Sequence, residues 1–215
     1  MPCNRQGRSA SRSEGMSTAK KLRKAVSLRA IVHYILTRFG GPRLRGWAFD
    51  QKYSKGTWYR FDDTRSPVIV NSVEKYARKG RVLDLGCGAG FLASYLNPDC
   101  FESYLGVDVS SEAISKGQKR RSQKINFEVG DIQDYKCKEE YDLIVFEESL
   151  YYVPFFRRRL LRRYARCLRP DGLFLVTIRD PDRFRGMIRM IRNNFQVVED
   201  RFTSPSGGRL ILVFR

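Results

Sequence analysis

Apolar residues recur along this chain with two periods. Near-continuous apolar runs at residues 81–85, 104–109, 141–146 and 173–177 predict buried parallel strands, and residues 125–129 alternate apolar and polar like another. Helical spacing fills the intervals between them. Leu160, Leu161, Tyr164 and Leu168 mark the apolar face of a helix over 155–168, which Pro170-Asp171-Gly172 is read to end. Phe184, Met187, Ile188 and Ile191 mark a second helix after Asp180-Pro181. Ser66-Pro67 opens a helix to about residue 79, and Ser110 or Ser111 caps one with Glu112 near its start. Residues 195–202 and 210–214 flank Ser206-Gly207-Gly208 and predict a closing hairpin. Strand and helix alternate five times before that reversal. The expected fold is therefore α/β: a doubly wound, Rossmann-like, mostly parallel sheet of about seven strands with a C-terminal antiparallel hairpin.

Ahead of this alternation, Leu28, Ile31, Val32, Ile35, Leu36 and Phe39 repeat at helical spacing in a helix predicted from Ser17 to about Phe39, where Gly40-Gly41-Pro42 stops it. Lys20, Lys21, Arg23, Lys24, Arg29 and Arg38 occupy its other positions. Two readings stand side by side: a lid packed on the domain, or attachment to an anionic membrane surface. Residues 47–63 are rich in aromatic and polar groups and read as a loop or short helices over a site. Tyr53, Trp58 and Tyr59 either close over a cofactor or simply pack. Three regions are expected: a disordered basic tail at 1–16, a basic helix with a covering segment at 17–63, and the main domain at 64–215.

Charge refines this division. The formal net charge of +18 is concentrated at the ends: residues 1–46 carry 11 Lys and Arg against Glu14, residues 47–153 carry 15 against 17 acids, and residues 154–215 carry 15 arginines against 5 acids. Basic ends suit nucleic acid, an anionic membrane or an acidic substrate, and equally a solvated face. Five cysteines without a CxxC pair argue against a disulfide framework or a zinc site, so a reducing cytoplasmic setting is expected. The single histidine, His33, leaves no Ser-His-Asp chemistry or His-rich metal site, and no metal is expected. No stretch approaches the ~20 apolar residues of a membrane span, and the polar first 16 residues lack a signal-peptide core.

The candidate chemistry centres on Asp84-Leu-Gly-Cys-Gly-Ala-Gly90, where a buried strand meets a glycine turn and then a helix expected to start near Ala89. Gly86, Gly88 and Gly90 let a cofactor approach the backbone, and Cys87 lies between them. A dinucleotide fingerprint needs glycine at the sixth position, which is Phe91. Asp84 before the turn would repel a pyrophosphate but suits a ligand bearing an amine and a sulfonium, which points to S-adenosylmethionine rather than NAD. Asp108, 22 residues after Gly86, is placed for both ribose hydroxyls; Asp131 is placed for an adenine amine, with Val109 and Ile132 on the ring. Glu147-Glu148 ends the fourth strand.

Residues 81–180 resemble the class I S-adenosylmethionine-dependent methyltransferases through this turn, Gly106-Val-Asp108 and Gly130-Asp131. Leu168-Arg-Pro-Asp-Gly172 departs from that family's usual Leu-x-Pro-Gly-Gly. The resemblance implies the three glycines against the cofactor, Asp108 on the ribose and Asp131 near the adenine. Glu148, Leu150, Tyr151 and Tyr152 also resemble the Glu-x-Leu-Tyr-Tyr pattern of nodulation-factor N-methyltransferases, which implies a small polar acceptor. The Asn/Asp-Pro-Pro-aromatic pattern of base-amine methylation is absent.

The expected activity is methyl transfer to an amine or hydroxyl of a small molecule or glycan. Glu147 or Glu148 is the candidate base or ammonium partner, and Tyr151 and Tyr152 are candidate walls; capping and core packing are the plainer alternatives. Competing readings are an RNA or other polyanion acceptor docked on the basic ends, a non-catalytic binding module, and a dehydrogenase.

Overall fold

The computed structural model describes residues 28–55, 66–204 and 207–215. Seven strands form one sheet in the order β3-β2-β1-β4-β5-β7-β6: β1 (Arg81–Leu85), β2 (Ser103–Asp108), β3 (Ile125–Val129), β4 (Tyr141–Glu147), β5 (Leu168–Ile178), β6 (Val197–Ser204) and β7 (Gly207–Phe214). The first five pair in parallel, and β7 runs antiparallel to both β5 and β6. This is the doubly wound sheet with a reversed edge that the alternation predicts, and the chain reverses direction of winding between β1 and β4, where such sheets bind ligands.

Side-chain alternation divides the core into two layers. Leu83, Ile144, Phe146, Phe174, Val176 and Leu212 face one way, where α6 (Arg157–Ala165) contributes Leu160, Leu161 and Tyr164 and α7 (Arg185–Asn194) contributes Met187, Ile188 and Ile191. Val82, Leu143, Val145, Leu175 and Val213 face the other way, against Ile69, Val73 and Tyr76 of α3 (Pro67–Ala77). Two further helices, the five-residue α4 (Phe91–Tyr95) and α5 (Ser111–Gly117), follow β1 and β2. Ser110 caps α5 by accepting from the Ala113 N–H.

At the N-terminal side stand α1 (Leu28–Phe39) and α2 (Pro42–Ser54), separated by Gly40-Gly41. α2 realises the short-helix alternative for the segment from residue 47 as far as Ser54 and begins earlier, with Pro42 set in its first turn; Trp58 and Tyr59 lie outside the described residues, as do 1–27. Asp50 ties α2 to the start of α5. Its carboxylate accepts from Ser110 Oγ at 2.5 Å, Ser111 Oγ at 3.2 Å and the Glu112 N–H at 3.1 Å. Gly46 permits the close approach: a Cβ there would sit 3.0 Å from the Val109 carbonyl oxygen.

Three further expectations are corrected. The helix after the glycine turn starts at Phe91 rather than near Ala89, since Gly90 has a left-handed φ of 76° that cannot continue a helix. Pro170-Asp171-Gly172 is part of β5, in an irregularity that pairs Tyr141 with Leu168 and Leu143 with Leu173, so the strand absorbs a segment that reads locally as a turn. Cys137 and Cys167 form a disulfide, although nothing in their spacing marks them as partners; the fold brings the segment before β4 beside the start of β5. Cys87 and Cys100 are not disulfide-bonded.

Candidate functional site

Beyond Leu85 the chain turns through three left-handed glycines, Gly86 (φ 85°), Gly88 (φ 56°) and Gly90 (φ 76°). Gly86, Cys87 and Gly88 line a cavity at the carboxyl ends of the strands, while Gly90 does not. A Cβ on Gly86 would lie 2.4 Å from Ser149 Cβ, and one on Gly90 would lie 2.4 Å from the Phe127 ring. The glycines are thus required by the protein's own packing as well as by any ligand. Gly86→Ala is expected to cost about 3 kcal/mol of stability, combining left-handed strain with overpacking, read as a fall in the urea midpoint.

Asp108 ends β2 and links two turns. Its Oδ2 accepts from the Gly88 N–H at 2.9 Å and its Oδ1 from the Ser110 N–H at 2.8 Å. Burial raises its carboxyl to about 6 even against those two donors. Asp131 also lines the cavity, beside Ile132, but is not open as the sequence suggests: Arg45 Nε of α2 donates to its Oδ2 at 2.6 Å, and the Gln133 N–H donates to its Oδ1 at 2.9 Å. The ion pair is nearly fully buried. Arg45 also donates to the Gly40 carbonyl, so the helix pair is pinned directly over the end of β3.

Asp84 lies beneath the cavity rather than in its wall. Its Oδ2 accepts from the Tyr104 hydroxyl at 2.5 Å, its Oδ1 is buried without a hydrogen-bond partner, and burial pushes its carboxyl up to about 8, with Glu147 and Asp108 adding repulsion. Both acids have folded pKa values above the ordinary 3.8, so the folded chain holds protons that the unfolded chain has released. Stability conferred at low pH is therefore lost as pH rises through the folded values of about 6 and about 8. The urea midpoint of cofactor-free protein is expected to fall across this window, with a shallower fall in Asp84→Asn.

The fourth strand end supplies Glu147 and Glu148, and their environments differ. Glu148 has a left-handed φ of 52° and a fully engaged carboxylate: Thr177 Oγ1 donates to Oε1 at 3.3 Å, while the Arg179 N–H at 3.0 Å and the Tyr151 hydroxyl at 3.1 Å donate to Oε2. Tyr151 lies outside the first cavity, stacked on Phe184 at 4.6 Å, and burial together with Glu148 makes its phenol much harder to ionise. These two residues form a structural hub. Both glutamates line the cavity, with Arg209 Nη1 3.5 Å from Glu147 Oε1 and Arg209 Nε 3.7 Å from Glu148 Oε1. Ser149 donates to the Leu85 carbonyl at 2.5 Å and so fixes β4 against the glycine turn.

A roof of Thr37, Arg45, Phe49 and Tyr53 closes the cavity. Arg45, Ser149, Arg179 and Arg209 escape the sequence reading, since each comes to the site only through the tertiary fold. Through Thr37, Tyr152 and Arg179 the cavity adjoins a second, wider groove of about 1020 Å³, bordered by Val32, Leu36, Trp47, Tyr151 and Phe184 with Arg38 and Arg183. The first cavity therefore gathers acids from the ends of β2, β3 and β4, with Asp84 and its unpartnered buried oxygen beneath them. These acids share the lining with Arg45, Arg179 and Arg209, and together with the glycine turn they offer acceptors for the hydroxyls and amines of a nucleoside ligand.

Comparison with known proteins bears on the ligand. The methyltransferase-domain family profile matches residues 82–172. Nodulation protein S of Rhizobium tropici is 37% identical over 94 residues, covering 42% of this chain and 39% of that protein. Fatty-acid O-methyltransferase of Mycolicibacterium smegmatis is 37% identical over 100 residues, covering 45% of this chain and 36% of that protein. The chain thus spans less than half the length of these curated relatives. Among solved structures, the N-methyltransferase NodS of Bradyrhizobium japonicum bound to S-adenosylhomocysteine superposes with a TM-score of 0.62 at 22% identity, covering 77% of this chain and 97% of that one.

Proposed function

We propose that this chain, a member of the S-adenosylmethionine-dependent methyltransferases through its domain at residues 82–172, methylates an amine or hydroxyl of a small amphipathic acceptor that enters by the wider groove. The observation that carries this reading is the juxtaposition of two compartments. One is a carboxylate-floored cavity at the ends of β1 to β4, and the other an aromatic and apolar groove meeting it at Thr37, Tyr152 and Arg179.

Gly86, Cys87, Gly88 and Asp108 would hold the ribose and methionine portions, with Val109 and Ile132 flanking the base; Asp131 reaches an adenine amine only by sharing with Arg45. When bound, S-adenosylmethionine supplies a methyl carbon already activated by its sulfonium. The protein then needs chiefly to align the acceptor and exclude water. Glu147 is the residue assigned to orient the acceptor amine or hydroxyl and take its proton, with Arg209 Nη1 3.5 Å from its Oε1. Tyr152, edge-on to Phe49 at 5.4 Å, forms the dry wall between the compartments.

A labelled-methyl transfer screen across amino sugars, small amines, fatty acids and RNA tests this. Incorporation into a small acceptor is the expected result; transfer to RNA alone would replace the acceptor class, and none in any class would leave a binding module.

A further inference from the structure

Helix α1 sits on the protein the wrong way round for an ordinary lid. Thr37 is buried toward the cavity and His33 meets Phe49 edge-on at 6.0 Å, so the polar side faces inward. The stripe of Leu28, Ile31, Val32, Ile35 and Phe39, spaced i, i+3, i+4, i+7 and i+11, faces outward, and each residue is exposed, Leu28 to 76%. At its far end Phe39 packs against Phe155 at 5.7 Å. Phe155 and Phe156, 60% and 77% exposed, stand immediately before the arginine-rich helix α6, which has no acidic residue and presents Arg158, Arg159 and Arg162 to solvent, with Arg166 exposed just after it. These arginines and the two phenylalanines border a common depression.

We propose that this face, apolar along α1 and cationic along α6, is a docking surface for an anionic lipid bilayer. The aromatic and aliphatic side chains would enter the interface and the arginines would engage lipid phosphates. Charge complementarity selects this occupant. A second copy would set arginine clusters against one another on a chain of net charge +18. Nucleic acid would pair with the arginines but leave the five-residue apolar stripe and both phenylalanines in water. Among the described residues no helix is long and apolar enough to cross a membrane, so the contact is peripheral. Lys20, Lys21, Arg23 and Lys24 precede α1 in the sequence. The proposal does not depend on the identity of the methyl acceptor.

Co-sedimentation of the full chain with phosphatidylcholine vesicles, with and without phosphatidylglycerol, tests it. Binding to the anionic vesicles that weakens with salt is expected. Ile31→Ser/Ile35→Ser/Phe156→Ser and, separately, Arg158→Gln/Arg159→Gln/Arg162→Gln should each reduce partitioning by about tenfold or more, with S-adenosylhomocysteine affinity retained. The arginine variant keeps the test decisive if the apolar variant folds poorly. Absent vesicle binding, binding unaffected by either variant, preference for single-stranded RNA over vesicles, or self-association abolished by the apolar variant without vesicle binding would each overturn the proposal.

Discussion

Replacing Asp108 with alanine is expected to weaken S-adenosylhomocysteine binding on the order of a hundredfold, because a carboxylate that can accept both ribose hydroxyls contributes about 3 kcal/mol through charge-assisted hydrogen bonds. The loss reaches beyond the direct contact. The same side chain holds the Gly88 and Ser110 N–H groups, so its removal loosens the glycine turn and the start of α5 together. Asp108→Asn retains one acceptor oxygen and should recover part of the affinity. Isothermal titration of both variants measures this, with circular dichroism checking that the sheet persists. An unchanged Kd in Asp108→Ala would place the cofactor elsewhere.

Glu147→Gln should lower kcat by about 10²-fold or more with little change in S-adenosylhomocysteine affinity, since the substitution keeps the shape and removes the proton acceptor. Glu148→Gln is the informative contrast. Glu148 serves the Thr177 hydroxyl, the Arg179 N–H and the Tyr151 hydroxyl, so its substitution should reduce stability and rate together. Steady-state kinetics with the acceptor found by transfer screening separate the two. A larger fall in kcat for Glu148→Gln at unchanged stability would exchange the two roles.

The parts of this protein that were legible in the sequence are those whose signal is local. The β4 run, Tyr141-Asp-Leu-Ile-Val-Phe146, is apolar on both faces because helices cover both faces, and the hairpin after Phe195 declares itself by alternation. The glycine turn was readable because a left-handed φ leaves a mark in residue type. By contrast α2 buries Arg45, Gly46, Ala48 and Tyr53, which make no apolar stripe, so periodicity offers no handle on it. Its two decisive residues, Arg45 on Asp131 and Asp50 on α5, act across 86 and about 60 positions of chain. The Cys137–Cys167 disulfide was equally hidden, since the pairing depends on where β4 and β5 come together. The reading of the candidate site changes accordingly. Asp84 becomes a buried support under the turn, Asp131 an anchor for the roof, and Glu147 and Glu148 the acids of the β4 end that line the cavity.

The buried acids at the ends of β1 and β2 tie cofactor binding to proton release. In the cofactor-free protein burial keeps the Asp84 carboxyl, pushed up to about 8, protonated near neutrality, whereas Asp108, at about 6, is largely ionised there; a cationic ligand would favour the ionised form of Asp84. Isothermal titration of S-adenosylmethionine into the wild-type chain, repeated in buffers of different ionisation enthalpy near pH 7, tests the cofactor assignment and this electrostatic reading at once. Saturable binding with proton release, and no heat from NAD, is the predicted result. Binding of NAD in preference, or no binding of S-adenosylmethionine, would contradict it.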